Sequence, residues 1–389
     1  MKLSSWPFYD EEQLCRVKEI LQSGRVNYWT GDQGKLFEKE FSEKFNSKYS
    51  IALANGSLAL SCAYLALELQ RGDEIITTSR TFIATASSAV LLGLKPVFVD
   101  VDIDSGAISV EEIEKSISKK TKAIVVVHLG GWPADMIKIK ELAKKHSLFI
   151  IEDCSQAHGA KINGRNIGTF GDIATWSFCQ DKIITTGGEG GMLTTNNVDF
   201  FNRVWSFKDH GKKYSHFQDG SKRNYLFRWV HDNFGSNFRL TEMQSSIGRI
   251  QINRLDNWVA LRNRNANILI SYLSQINQIR IPIPPENLLH AYYKFYCYVD
   301  ENQFLSDWNR ERLIQELSID GFPAFSGSCS EIYLEKCFKD NGFAPKISLK
   351  NAELLGKTSI MFLVHPTITT DEMHRYANAI LNTFHRALK

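Results

Sequence analysis

Nothing in the sequence supplies a covalent staple or a metal-ligand pattern. The seven cysteines are scattered, odd in number and never spaced C-x-x-C. That excludes a disulfide framework and a zinc ribbon, leaves no metal to expect, and points to reduced thiols in a cytoplasm. Apolar runs such as 123–127 are far too short to span a bilayer. The opening MKLSSWPFYDEE has Lys2 but no apolar h-region, so no secretory signal is expected. Lysine and arginine concentrate no further than the pairs Lys119-Lys120 and Lys144-Lys145, and the net charge is only +3. Such pairs are solvated helix ends, and nucleic acid is not an expected partner. Repeats and low-complexity tracts are absent as well.

What is present is an ordinary globular composition, 43% hydrophobic and 23% charged over 389 residues, enough for two or three domains. Helical spacing of Leu14, Val17, Ile20 and Leu21 predicts a helix over 11–23, with Gly24 as its cap. Phe37, Phe41 and Phe45 mark another helix over 35–45. Beyond these, short apolar strands alternate with helices. Strands are expected at 50–54, 74–77, 96–99, 121–127, 148–152, 171–176 and 191–195, and helices at 58–69, 82–92, 110–118 and 135–146. This pattern means an α/β domain around a mainly parallel sheet covered on both faces. Catalytic groups in such sheets gather at the carboxyl ends of strands. Residues 200–237 are polar, aromatic and irregular and read as a long functional loop. Residues 239–277 read as long helical segments, 292–299 as a strand of a second domain, and 371–386 as a terminal helix. The domain change is expected near residue 250, giving domains 1–250 and 251–389.

The chemistry is concentrated in WSFCQDKIITTGGEGG, residues 176–191, where Lys182 lies between Ser177-Phe178 and a glycine run broken by Glu189. A lysine in a dry pocket can lose its proton near neutral pH and bond to an aldehyde. Upstream, FIIEDCSQAHGA reads as a buried strand ending at Asp153. A lysine and a strand-end aspartate in one pocket match the needs of pyridoxal phosphate: the amine holds the aldehyde, and the carboxylate keeps the ring nitrogen protonated. Asn55-Gly56-Ser57, between a strand and a helix, forms a seat for phosphate, or Ser57 simply caps the helix. Phe82 can cover one face of the ring. The glycine run matches neither the dinucleotide fingerprint nor a P-loop.

At ANGSLAL, RTFIATASSAV, PVFVDVD, IIEDCSQAHGA, GDIATWSFCQDKIITTGGEGGML, KDHG and GSNFRLTEMQSSIG the chain resembles the DegT/DnrJ/EryC1/StrS family of pyridoxal-phosphate-dependent nucleotide-sugar aminotransferases. The resemblance implies a fold-type-I transferase, with a large domain around a mainly parallel seven-stranded sheet and a smaller C-terminal α+β domain. It implies that Lys182 carries the cofactor and shuttles the proton, that Asp153 faces the pyridine nitrogen, and that Gln156 lies near the phenolic oxygen. Gly56, Ser57, Leu58 (through its backbone) and Ser177 would be phosphate ligands, and Phe82 the stacking ring. Asn237 would reach the phosphate in a neighbouring subunit's site, which implies a homodimer. The substrates implied are L-glutamate and a nucleotide-linked 4-keto-6-deoxy-hexose, the cofactor cycling between pyridoxal and pyridoxamine phosphate. The product would enter lipopolysaccharide O-antigen or another surface polysaccharide. Some relatives replace the lysine with histidine and dehydrate instead; this chain keeps Lys182. Asn27, Trp29, Lys208, His210, Ser326 and Ser328 are weaker candidates for sugar or nucleotide contacts. The segment FSGSCS departs from the aromatic-and-proline versions of other members at that place, which leaves the base of the nucleotide open.

Overall fold

A computed structural model describes residues 3–215, 230–327 and 331–388. Its central sheet holds seven strands: β1 (Tyr49–Leu53), β2 (Glu74–Thr78), β3 (Lys95–Val99), β4 (Thr121–Val127), β5 (Phe149–Asp153), β8 (Ile173–Ser177) and β9 (Gly191–Thr195). Their order in space is β1-β9-β8-β5-β4-β2-β3. Within this sheet only β9 runs against its neighbours. The sheet is the mainly parallel, doubly covered one expected, and β4 and β5 are buried almost throughout. Between β5 and β8 the chain makes a hairpin of β6 (Lys161–Ile162) and β7 (Arg165–Asn166). Glu152 fixes this excursion: its carboxylate accepts the N–H groups of Gly168, Phe170 and Gly171 at 2.6–2.7 Å and lies 3.2 Å from His128 Nε2. Burial pushes the Glu152 carboxyl up, but the His128 and backbone contacts outweigh it and hold it below the usual range.

The helix Gln33–Phe45 places Phe37, Phe41 and Phe45 four residues apart on one buried stripe. That stripe packs on Trp176 and Phe178, with ring centroids 4.4–5.8 Å apart. It therefore backs the strand end from which the Lys182 segment departs. The 200–237 region differs from its reading as one long loop. Asn197 accepts the N–H groups of Asp199 and Phe200 and starts a helix, Val198–Lys208. Phe200, Phe201, Val204 and Trp205 then share one buried face, a period hidden in sequence by the polar residues around it.

Residue 250 lies inside an unbroken helix, Glu242–Leu273, opened by a Thr241/Gln244 capping box. Along it Leu255, Trp258 and Val259 join the core of the large sheet, whereas Ala266, Leu269 and Leu273 join a second core. The second core covers an antiparallel sheet of β10 (Ile279–Arg280), β12 (Phe295–Val299), β14 (Ser359–Phe362) and β13 (Ala324–Phe325), in that spatial order. The helix Thr370–Ala387 closes it with Met373, Tyr376, Ala377, Ile380 and Phe384. Between β10 and β12 the chain returns to the first body, where β11 (Leu288–Leu289) pairs with β6 and Tyr293 enters the large core. The N-terminal segment ties the two together. Ser4 donates to Glu372 of the last helix, and Trp6 donates its Nε1–H to the Lys182 carbonyl at 2.9 Å.

Candidate active site

The carboxyl ends of β5 and β8 are adjacent, with Asp153 opposite Thr175. Asp153 is buried at 5% exposure. One carboxylate oxygen accepts the Thr85 hydroxyl at 2.9 Å and the other the Ser155 N–H at 3.2 Å, so its direction is set by groups that only donate to it. Thr85 also meets the Thr81 hydroxyl at 2.9 Å. In the turn after β5, Gln156 accepts the Gly130 N–H at 2.8 Å. His158 is fully buried against Trp176 and Phe178. Burial, with Lys182 and Arg262 nearby, pushes its imidazole down to about 3, so it is neutral at physiological pH.

Next to these ends lies the N-terminus of the helix Gly56–Ala66. Asn55, not Ser57, is its cap: the Asn55 carboxamide oxygen accepts the Leu58 N–H at 2.9 Å. Leu58 has therefore spent the donor assigned to phosphate, and the N–H groups of Gly56 and Ser57 are the ones without a helical acceptor. A Cβ on Gly56 would lie 2.7 Å from the Ser177 Cβ and 3.2 Å from its Oγ, and one on Gly191 would lie 2.4 Å from the Asn55 carbonyl oxygen. Glycine at both places lets the helix start, the end of β8 and the start of β9 meet backbone to backbone.

Lys182 follows β8 with its side chain 15% exposed. Its Nζ lies 3.4 Å from the Tyr293 hydroxyl and 3.9 Å from Asp181 Oδ1. The Tyr293 hydroxyl donates to Asp181, and Lys294 Nζ stands 3.8 Å from the same carboxylate. Partial burial pushes the Asp181 carboxyl up, but Lys182, Tyr293 and Lys294 bring it below the usual range. Burial, reinforced by Asp181, raises the Tyr293 hydroxyl well above its ordinary value. Burial, helped by Arg262 and Lys182 and opposed by Asp181, brings Lys294 down to about 8.

The model of the DegT/DnrJ/EryC1/StrS aminotransferase family matches residues 7–381. The chain belongs to that family. It is 37% identical over 291 residues to a GDP-perosamine synthase of Escherichia coli O157:H7, covering 74% of this chain and 76% of that protein. It is 36% identical over 285 residues to a UDP-N-acetyl-3-dehydro-alpha-D-glucosamine 3-aminotransferase of Acidithiobacillus ferrooxidans, covering 73% of each. The crystal structure of an aminotransferase from Psychrobacter cryohalolentis superposes with a TM-score of 0.96 at 47% identity, over 98% of this chain and 99% of that one. The fold is thus type I, and the protein is a pyridoxal-phosphate-dependent sugar aminotransferase.

The residues present fit that cofactor. A buried carboxylate held only by donors suits a cationic ring nitrogen. The close junction of Gly56 with Ser177 sets a serine hydroxyl beside the unpaired N–H groups of a helix start, the donors a phosphate needs. Phe82, two residues before the helix Ala84–Leu91, is 63% exposed, a large ring with an uncovered face. Asn237 is exposed, bridged to Asp209 through its backbone, and accepts the Arg239 N–H.

The weaker candidates of this aminotransferase separate. Lys208 is fully buried, 3.0 Å from Glu38 and 3.9 Å from the Tyr28 ring centroid, so no substrate reaches it. Burying an ammonium demands such a partner, and the ion pair is what the lysine serves. Trp29 is half-buried and donates to Asp209 at 2.9 Å, and Asn27 accepts the Trp29 N–H at 3.0 Å. His210 is exposed at a positive φ of 58°, and its carbonyl lies 2.8 Å from His231 Nδ1. Ser326 is exposed and its carbonyl accepts the Ser359 hydroxyl. Ser328 lies outside the described residues.

Sequence reasoning passed over Asp181, Tyr293, Lys294 and Arg262. One signal was available: Lys294 interrupts the aromatic strand pattern YYKFYCYV, where a charge has no place without a partner.

Proposed function

We propose that this enzyme moves the amino group of L-glutamate to the keto carbon of a nucleotide-linked 4-keto-6-deoxy-hexose, producing an amino sugar for O-antigen or a related surface polysaccharide. The observation that carries the reading is the meeting, at the carboxyl ends of the adjacent central strands β5 and β8, of the Asp153 carboxylate, the Lys182 segment and the Gly56/Ser177 junction. The likeness to a GDP-perosamine synthase favours a 4-keto sugar on GDP among the acceptors. Retention of Lys182, where sugar dehydratases of this family carry histidine, favours transamination. A regulatory protein stripped of chemistry would have no need to keep both Lys182 and Asp153.

Pyridoxal phosphate, when bound, supplies an aldehyde that accepts the amine and a ring that accepts electrons. Asp153 would hold the ring nitrogen protonated, and Gln156 would face the phenolic oxygen. Gly56, Ser57 and Ser177 would hold the phosphate, and Phe82 would cover one ring face. Lys182 would hold the aldehyde at rest and, once freed, its amine would be the base for the proton on the donor's α-carbon and, in the return half, the acid for the sugar carbon. Asp181 and Tyr293 keep that amine at its post.

A homodimer in the cytoplasm completes the proposal. Phe234 is 98% exposed on the same projecting stretch as Asn237, an apolar ring that a second subunit would cover. Among the described residues no helix is long and apolar enough to cross a membrane. The test is the visible spectrum of the purified enzyme with and without glutamate, then product analysis with UDP-, dTDP- and GDP-linked 4-keto sugars. Loss of the cofactor's visible band with stoichiometric 2-oxoglutarate is expected. Lys182→Ala should fold and yield no amino sugar; full amination by that variant would sink the assignment.

A further inference from the structure

Beside Lys182 lies a cleft of about 430 Å³ between the N-terminal segment and the second domain, lined among others by Ser4, Trp6, Asp181, Lys294, Leu363 and His365. Of three cations grouped here, Lys294 lines the cleft, while Lys182 and Arg262 stand behind its lining residues Asp181 and Trp6. Lys182 and Lys294 approach Asp181 at 3.9 and 3.8 Å, both beyond hydrogen-bond distance. Arg262 is 1% exposed, its guanidinium 5.3 Å from the Trp6 ring centroid. It spends one nitrogen on the carbonyls of Tyr292 and Tyr293, and its Nε and Nη2 have no partner. His365 stacks on Trp6, and burial pushes it down to about 3, so it adds no charge. The Glu372 carboxylate, which also reaches this region, is taken by Ser4 and the Thr369 N–H. Even with the Lys182 amine committed to the cofactor, two cations face one carboxylate.

Buried positive charge in excess is costly unless a ligand supplies the missing anion. The cofactor's phosphate does not, because its seat is at Gly56 and Ser177. We infer that this cleft is the seat for a carboxylate of the amino donor, with Lys294 as its anchoring cation. A donor α-carboxylate is one bond from the carbon whose proton Lys182 takes, so its seat must adjoin that amine. The diphosphate of a nucleotide sugar is separated from the reacting carbon by the width of the pyranose ring. The ammonium of Lys294, held only loosely by Asp181 at 3.8 Å, turns from it to the incoming carboxylate. Arg262 lies behind it and keeps the local field positive. The inference rests on the donor proposed above, and the experiment separates the two.

The probe is glutarate, a dicarboxylate with no amine to react, titrated calorimetrically into the holoenzyme. In Lys294→Met its affinity should fall roughly 10- to 100-fold, the usual worth of a hydrogen bond to a charged group. The KM for L-glutamate in the donor half-reaction should rise by the same factor, with the KM for the nucleotide sugar unchanged. Lys294→Arg should restore most of the loss. Lys294→Gln, which keeps a donor group and shape, is read in the same way if the methionine variant does not fold. Unchanged glutarate affinity and glutamate KM in a folded variant would overturn the inference. So would loss of GDP or UDP binding in place of glutarate binding. A wild-type enzyme that binds glutarate through Lys294 but does not react with glutamate would keep the seat and remove glutamate as the donor.

Discussion

Gly56→Ala tests whether the junction beneath the proposed phosphate seat is as tight as it must be. Gly56 is the first residue of its helix and has no positive φ, so alanine fits the backbone there. Removing chain freedom from the unfolded state would add about 0.4–1 kcal/mol of stability. Against this stands the new methyl, 2.7 Å from the Ser177 Cβ and 3.2 Å from its Cα. Neither neighbour can rotate away, because one is backbone and the other is attached directly to it. Overpacking of this kind costs about 1–3 kcal/mol, so the net loss is on the order of 1–2 kcal/mol. It is relieved by moving the helix start away from β8, which also draws the free N–H groups from the phosphate. We expect a melting temperature a few degrees lower and pyridoxal phosphate held about 10-fold more weakly, the latter read by equilibrium dialysis. Ser57→Ala is the companion: the side chain is exposed, so cofactor affinity should fall with no change in melting. A Gly56→Ala protein matching wild type in both melting and cofactor affinity would refute the argument.

Lys208→Met leaves Glu38 with the Tyr28 hydroxyl and the Ala52 N–H but without its ammonium, and should cost about 2–4 kcal/mol in urea unfolding while leaving both substrate KM values unchanged. Three histidines, His158, His290 and His365, are pushed by burial to about 3. Below about pH 6.5 the unfolded chain takes up protons there that the folded chain refuses, so stability falls as pH drops toward 3. The slope is about 1.4 kcal/mol per pH unit for each histidine. A urea midpoint flat from pH 6.5 to 5 would contradict their burial in the neutral form. If the proposed dimer shares its sites, Asn237→Ala should weaken cofactor retention, seen as faster loss of the visible chromophore on dilution. Unchanged retention would count against a partner-supplied contact.

Much of the fold could be read along the chain, for a local reason. A parallel strand buried on both faces is apolar nearly throughout, so β4 and β5 declare themselves, as do the phenylalanines at every fourth position of the helix Gln33–Phe45. The elements that escaped were those whose pattern is not local. The helix Val198–Lys208 buries its face beneath a polar exterior. The two-residue strands β10, β11 and β13 exist only because partners elsewhere in the chain hold them, and the short β6–β7 hairpin is anchored by β11. The candidates Asp153, Gly56 and Ser177 could be proposed for the same local reason, since each sits in a short motif at a strand end or helix start.

Residue type and spacing were enough to place Asp153 and a glycine-opened helix at strand ends, with Lys182 in the turn that follows β8, because strands and caps are short-range structures. Which lysine is free and which is buried was settled by packing across long stretches of chain. Glu38 claims Lys208 from far upstream. The return of residues 288–294 to the core of the large sheet sets Tyr293 and Lys294 beside Lys182. Charge balance in a pocket is a sum over groups remote in the chain, and it takes its value only when the chain has closed around them.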